Sequence, residues 1–159
     1  MAKTEKTNVM RILEQKKINY KSYEYSDTEA ISGVEVAEVL GENPNQVFKT
    51  LVTVGATKAN YVFMIPVAEE LDLKKAASAV KEKAIEMLPS KKLLPTVGYV
   101  HGGCSPIGMK KQLRTTVHES ALSCEKIVFS AGKIGTQVEM TLSDLSKVVK
   151  IETADVIKP

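Results

Sequence analysis

The sequence predicts an α+β fold, with a mixed, mainly antiparallel sheet flanked by short helices. Three observations carry this. Apolar, β-branched runs come in pairs separated by a short polar turn, as at 47–54 and 61–67. Helical periodicity is confined to short stretches such as 7–17 and 72–80. Regular strand–helix–strand alternation is absent, as is a G-x-G-x-x-G loop, which disfavours a doubly wound parallel sheet. At 159 residues the chain has about the commonest size for one domain, and residues 1–159 are read as a single one.

The elements follow in order. Residues 7–17 place Val9, Ile12, Leu13 and Lys16 on one helical stripe. Residues 18–25 alternate weakly and carry three tyrosines, which suits a strand. Ser32-Gly33-Val34-Glu35 fits a capping box, with a helix behind it that Gly41 closes. Asn43-Pro44 opens one further turn. Residues 47–54 and 61–67 are strands around a turn at 55–60. A helix follows over 72–80, then an ambiguous stretch at 84–88, then a short helix over 90–94 that ends before Pro95. Strands are expected at 97–100, 115–118, 126–129 and 137–141, with a turn at 131–133. Ser143 caps a last helix over 144–149.

Composition narrows the function. No apolar run nears the roughly 18 to 20 residues that span a bilayer. The charged first residues have no apolar segment behind them, so a cytoplasmic protein without membrane contact is expected. The two cysteines, Cys104 and Cys124, are read as free thiols of a reducing compartment. With two histidines and no H-x-E or C-x-x-C spacing, neither a metal site nor a cofactor is expected. A formal net charge of +3 does not itself establish nucleic-acid binding. The lysine pairs 74-75, 91-92 and 110-111 read first as a solvated surface. Trp is absent and the other aromatics are scattered, which argues against a base-stacking platform.

Two local features carry chemistry. Lys49 sits in Val47-Phe48-Lys49-Thr50-Leu51-Val52, sharing one strand face with Val47 and Leu51, while Thr50 shares the other with Phe48 and Val52. A cation there is either aimed into a pocket or snorkels from an edge strand. The second feature is Gly98-Tyr99-Val100-His101-Gly102-Gly103-Cys104-Ser105-Pro106-Ile107-Gly108. Its glycines allow close backbone approach, and consecutive N–H groups there suit a developing oxyanion, or the loop is an ordinary turn. Cys104 adjoins His101, yet a lone cysteine more often packs as a small hydrophobe than attacks.

Asn43-Pro44-Asn45-Gln46-Val47-Phe48-Lys49-Thr50-Leu51, Leu71-Asp72-Leu73-Lys74-Lys75, the Gly98–Gly108 loop and Ser130-Ala131-Gly132-Lys133-Ile134-Gly135 together resemble the YbaK/EbsC family, in order over essentially the whole chain. That family is similar to the editing insertion domain of bacterial prolyl-tRNA synthetase. The resemblance implies a partly barrel-like sheet flanked by helices. It also implies deacylation of Cys-tRNA(Pro), with some action on Cys-tRNA(Cys). It assigns Lys49 and the Gly102-Gly103 loop to catalysis, and Tyr25, Ser32, Thr50, Ser105, Ser130 and Gln137 to substrate binding. The chain departs from the family at Ser32-Gly33, where Phe or Tyr often precedes the glycine. It departs again at Gln137, where some members carry Asp, and at Cys104, where an aliphatic residue is common. These departures bear on selectivity more than on reaction type.

The implied mechanism needs no protein nucleophile. A cysteinyl ester carries a thiol with a pKa near 8.5, so about a few per cent is thiolate at pH 7 and attacks its own carbonyl. The enzyme supplies orientation, oxyanion donors and Lys49 near the terminal phosphate or carbonyl. The implied partners are the aminoacyl-tRNA acceptor end and, transiently, prolyl-tRNA synthetase. The rival classes are a hydrolase that directs water at Ala-tRNA(Pro) or another mischarged tRNA, and a non-catalytic module that binds tRNA ends.

Overall fold

A computed structural model describes residues 6–25 and 33–159. Its helices are α1 (Asn8–Gln15), α2 (Gly33–Leu40), α3 (Leu73–Val80), α4 (Ser90–Val97) and α5 (Leu142–Val148). Its strands are β1 (Lys21–Glu24), β2 (Phe48–Gly55), β3 (Asn60–Pro66), β4 (Ile85–Met87), β5 (Arg114–His118), β6 (Ile127–Lys133), β7 (Thr136–Met140) and β8 (Ile151–Ala154). Single 3₁₀ turns occupy Pro44–Gln46 and Glu119–Ser123.

The strands form two sheets, in the orders β1-β7-β6 and β4-β2-β3-β5-β8. Pairing is antiparallel except for β3 with β5 and β5 with β8, which are parallel. The fold is therefore α+β with a mixed, mainly antiparallel sheet, as expected. A parallel bridge between Val47 and Val128 joins the two sheets at one corner, and the barrel stays open.

β3 explains why its sequence reads as an unbroken apolar run. Val62 and Met64 enter a core shared with Phe48 and Val52 of β2, Phe129 of β6, Val138 of β7 and Leu13 of α1. Phe63 and Ile65 point the other way, against Ala76, Ala77 and Val80 of α3. A strand covered on both faces loses the polar alternation of a half-exposed one.

Local chemistry sets the helix ends. Thr7 caps α1 by accepting from Met10 N at 3.2 Å. Asp72 caps α3 by accepting from Lys74 N and Lys75 N at 2.9 and 3.0 Å. The cap of α5 is Thr141, which accepts from Asp144 N at 3.0 Å, and not Ser143 as the sequence suggested. The Ser32–Glu35 capping box falls partly outside the described residues.

Three sequence expectations are corrected next to the site. α4 does not stop before Pro95 but runs through it to Val97. The proline removes one donor, on an exposed face, while Leu93 and Val97 behind it are buried. Gly98, with φ +85° and its N–H on Leu94 O at 2.8 Å, ends the helix, so no strand forms over 97–100. In the β6–β7 hairpin, strand structure continues through Lys133 and the turn lies at Ile134-Gly135, not at 131–133. The ambiguous stretch is resolved as β4, which pairs with the far end of β2. Among the described residues no helix is long and apolar enough to cross a membrane.

Candidate active site

A cavity of 260 Å³ opens between β2, the loop after α4 and the β6–β7 pair. It is slightly below the volume range of sites for drug-sized ligands, about 300 to 1,000 Å³, and suits one aminoacyl group. Of the residues assigned from sequence, Lys49, Thr50, Gly102, Tyr25, Ser130 and Gln137 all line it.

Lys49 lies near the start of β2, in register with Ile65 of β3. It is half-buried, and it makes no hydrogen bond or ion pair with any described residue. Loss of solvent pushes its pKa down, against the pull of Glu70 and Glu69. A cation so placed gains most from an anionic or polarised ligand. Beside it, Thr50 Oγ1 is buried with no partner among the described residues, a polar atom left over in the cavity wall.

The glycine loop divides its labour. Gly102 has φ +87° and is exposed, so it supplies the left-handed turn at the cavity rim. Gly103 packs beneath it: a Cβ there would stand 3.1 Å from the backbone nitrogen of Ile134. Its N–H donates to Val100 O at 3.0 Å. The Gly103 amide is therefore already taken, while the Gly102 amide has no partner among the described residues. Ser105 is fully buried, its Oγ accepts from Ile107 N at 3.3 Å, and it does not line the cavity.

Ser130 and Gln137 come from neighbouring strands. Ser130 Oγ accepts from Gly132 N at 3.1 Å across a bulge in β6. Gln137 is 6% exposed, and its side-chain nitrogen donates to Oε2 and Oε1 of Glu42 at 2.9 and 3.1 Å. Tyr25 is tied to the hairpin turn through its N–H on Gly135 O at 2.8 Å. Ser32 lies outside the described residues.

The sequence reading missed other lining residues: Met87 and Leu88 at the end of β4, Ser90 and Leu93 of α4, and Val36 of α2. The apolar character of 84–88 was the available signal. His101 lines the cavity, whereas His118 lies in a separate cleft, where its Nδ1 accepts from Val156 N at 3.3 Å. Both cysteines are free. Cys104 lines the cavity, but burial pushes its thiol up to about 12. It is held protonated and is a poor nucleophile. The site thus offers a half-buried cation, a rim amide and a hydroxyl without partners among the described residues, and a buried amide side chain.

Residues 28–148 match the family model of the aminoacyl-tRNA editing domain. The chain belongs to that family. Over 137 residues this editing domain is 50% identical to an Enterococcus faecalis protein assigned as a Cys-tRNA(Pro)/Cys-tRNA(Cys) deacylase, EbsC, covering 86% of this chain and 84% of the relative. The fold of the editing domain matches a crystal structure assigned as a trans-editing enzyme for prolyl tRNA synthetase. The TM-score is 0.81 at 21% identity, over 96% of this chain and 99% of the other. A second crystal structure, of a protein described as hypothetical, matches with TM-score 0.85 at 18% identity over 94% and 99% of the two chains.

Proposed function

We propose that this protein is a trans-acting editing deacylase that clears cysteine from Cys-tRNA(Pro), and from Cys-tRNA(Cys), with the substrate thiol attacking its own ester. The observation that carries this reading is the state of Cys104. The one thiol in the cavity wall is held protonated by burial, so a substrate that brings its own sulfur suits the site better than one that needs the protein's. The name of the half-identical relative supports the same substrate.

In this reading the substrate sulfur bonds to the ester carbonyl carbon and the carbon–oxygen ester bond breaks. The ribose oxygen leaves as a hydroxyl, carrying the equivalent of the thiol proton, and a cyclic thioester is released. The Gly102 N–H holds the carbonyl oxygen as charge builds there. Lys49 offsets negative charge on that oxygen or on the terminal phosphate. Thr50, Ser130, Gln137 and Tyr25 hold the aminoacyl group so that sulfur and carbonyl meet. The reaction belongs to the cytoplasm, where charged tRNA is used, and a transient complex with prolyl-tRNA synthetase supplies the choice of tRNA. The test is a panel of tRNA(Pro) charged with cysteine, serine or alanine. Fast cleavage of the cysteinyl ester alone supports the proposal. Equal rates on all three would establish a directed water instead.

A further inference from the structure

One rim of the cavity is built from a stretch without acidic residues. Residues 87–118 carry no Asp or Glu, although the chain has 19. Ser90 and Leu93 of α4, and His101 and Gly102 of the loop that follows it, line the cavity. The lysines of this stretch stay close to the mouth. Lys91 and Lys92 lie between Ser90 and Leu93 in the first turn of α4. Lys110 returns to the end of that helix. Its N–H donates to Val97 O at 2.8 Å, and a Cβ on Gly98 would stand 3.5 Å from the Lys110 Cβ. Lys133, at the end of β6, reaches the same rim, since a Cβ on Gly103 would stand 3.4 Å from its carbonyl carbon.

Lys91, Lys92, Lys110, Lys111 and Lys133 are all exposed. None of their side chains makes a hydrogen bond or ion pair with a described residue. Elsewhere Lys6, Lys75, Arg114, Lys147 and Lys158 each pair with a carboxylate. Across the mouth the sign of the charge reverses. Glu42 stands behind Gln137 and beside Glu139, and Glu69 and Glu70 act on Lys49. The cationic rim also leaves apolar surface uncovered: Leu94, Val100 and Ile134 are 54%, 48% and 56% exposed. Ile134 is the neighbour that a Cβ on Gly102 would meet, at 3.7 Å. Apolar side chains exposed among unpaired like charges mark a surface that meets a partner of opposite sign.

We propose that this face, from Lys91-Lys92 across Lys110-Lys111 to Lys133, holds the phosphates of the tRNA acceptor end, so that the strand leaves the cavity over α4 and not past Glu42 and Glu69. The inference rests on the proposed substrate for the identity of the polyanion, and it adds the track that the polyanion follows. Each phosphate held by a lysine releases condensed counterions, so this part of the binding depends on salt and not on sequence. The cavity and Lys49 meet the reacting ester, and the five lysines hold the chain behind it. Leu94, Val100 and Ile134 lie between the two and cover sugar and base surface.

The experiment separates phosphate contacts from the chemistry. Two double variants, Lys91→Ala with Lys92→Ala and Lys110→Ala with Lys111→Ala, are compared with the wild type. Lys74→Ala is the control, since Lys74 is exposed on α3, which covers the other face of the sheet. Deacylation is measured on Cys-tRNA(Pro) and on the cysteinyl ester of adenosine, which has no phosphate. Binding of uncharged tRNA(Pro) is followed against salt by fluorescence anisotropy. Each double variant should raise KM for Cys-tRNA(Pro) about tenfold with kcat little changed, and flatten the log–log salt dependence by about one for each lysine removed. Both should cleave the adenosine ester at the wild-type rate, and Lys74→Ala should match the wild type throughout. The proposal is overturned if the double variants keep the wild-type salt dependence, if Lys74→Ala flattens it as much per lysine, or if the adenosine ester is lost in step with the tRNA. Uncharged tRNA(Pro) that binds with the expected salt dependence to a wild type unable to cleave Cys-tRNA(Pro) would count against the substrate and uphold the track.

Discussion

Ser130 and Gln137 stand opposite one another across β6 and β7, at the last paired position before the register slips. The next pair is Lys133 with Thr136, so Ala131 and Gly132 form a bulge between the two pairs. Gly132 takes φ +92°, where a Cβ would meet Tyr99 Cε1 at 3.0 Å and Val9 Cγ2 at 3.1 Å. The bulge bends the strand and re-aims its side chains, and two cavity residues sit at its edge. Ser130→Ala should cost about 1 kcal/mol of stability through the lost acceptor for the Gly132 N–H. It should also slow deacylation several-fold. Urea unfolding and initial rates check both. An alanine variant with unchanged rates would remove Ser130 from the site.

Lys49→Ala should lower kcat/KM by about a hundredfold or more, the loss typical of removing one preorganised electrostatic group. Its fold should be unchanged by circular dichroism, because a half-buried cation with no described partner contributes little to stability. Lys49 is misassigned if the folded variant turns over at the wild-type rate.

Cys104→Ala should retain most of the activity, since its thiol is held protonated and the reacting sulfur belongs to the substrate. The cysteinyl ester should react far faster than the seryl ester, which differs from it by a single atom. The product should pass through a cyclic thioester that a thiol-blocking reagent prevents. An inactive, folded Cys104→Ala enzyme would reinstate a protein nucleophile.

Glu42 also predicts how stability follows pH. Its carboxyl ionises near 4.5 in the unfolded chain and at about 7 when folded. Between those values the folded state binds more protons, so this group adds stability at the acid end and loses it as pH rises through about 7. Glu42→Gln should flatten that slope in urea unfolding run at acid, neutral and alkaline pH. The same slope in variant and wild type would assign it to other groups.

Acting alone, the protein should discriminate poorly between Cys-tRNA(Pro) and Cys-tRNA(Cys), because a cavity of 260 Å³ holds an aminoacyl end and not a tRNA body. Binding should weaken with salt as phosphate contacts are screened. Added prolyl-tRNA synthetase should restore a preference for tRNA(Pro). A strong preference shown without the synthetase would refute that division of labour.

Much of this was legible in the sequence. The paired runs at 47–54 and 61–67 carried the central hairpin because β-branched residues covered on both faces leave an unmistakable stretch. Lys49 stood out as a cation inside such a stretch. What stayed hidden was set by contacts between distant segments. β8 has only four residues and forms by parallel addition to β5, which local pattern cannot announce. Gly103 and Ser105 shared a glycine-rich loop with Gly102, and only the hydrogen bonds to Val100 and Ile107 separate the structural members from the one at the rim. The Glu42–Gln137 pairing joins the end of a helix to a strand far along the chain, so neither residue signals the other.

β3 is covered on both faces, and one of its outcomes concerns tuning over generations. Ile65 packs with the α3 layer on the far side of the sheet and is also the cross-strand partner of Lys49. Substitutions at Ala76, Ala77 or Val80, none of which lines the cavity, can shift Ile65 and with it the depth at which the lysine sits. Activity can therefore drift by small steps from the back of the sheet while every group that meets the substrate keeps its identity.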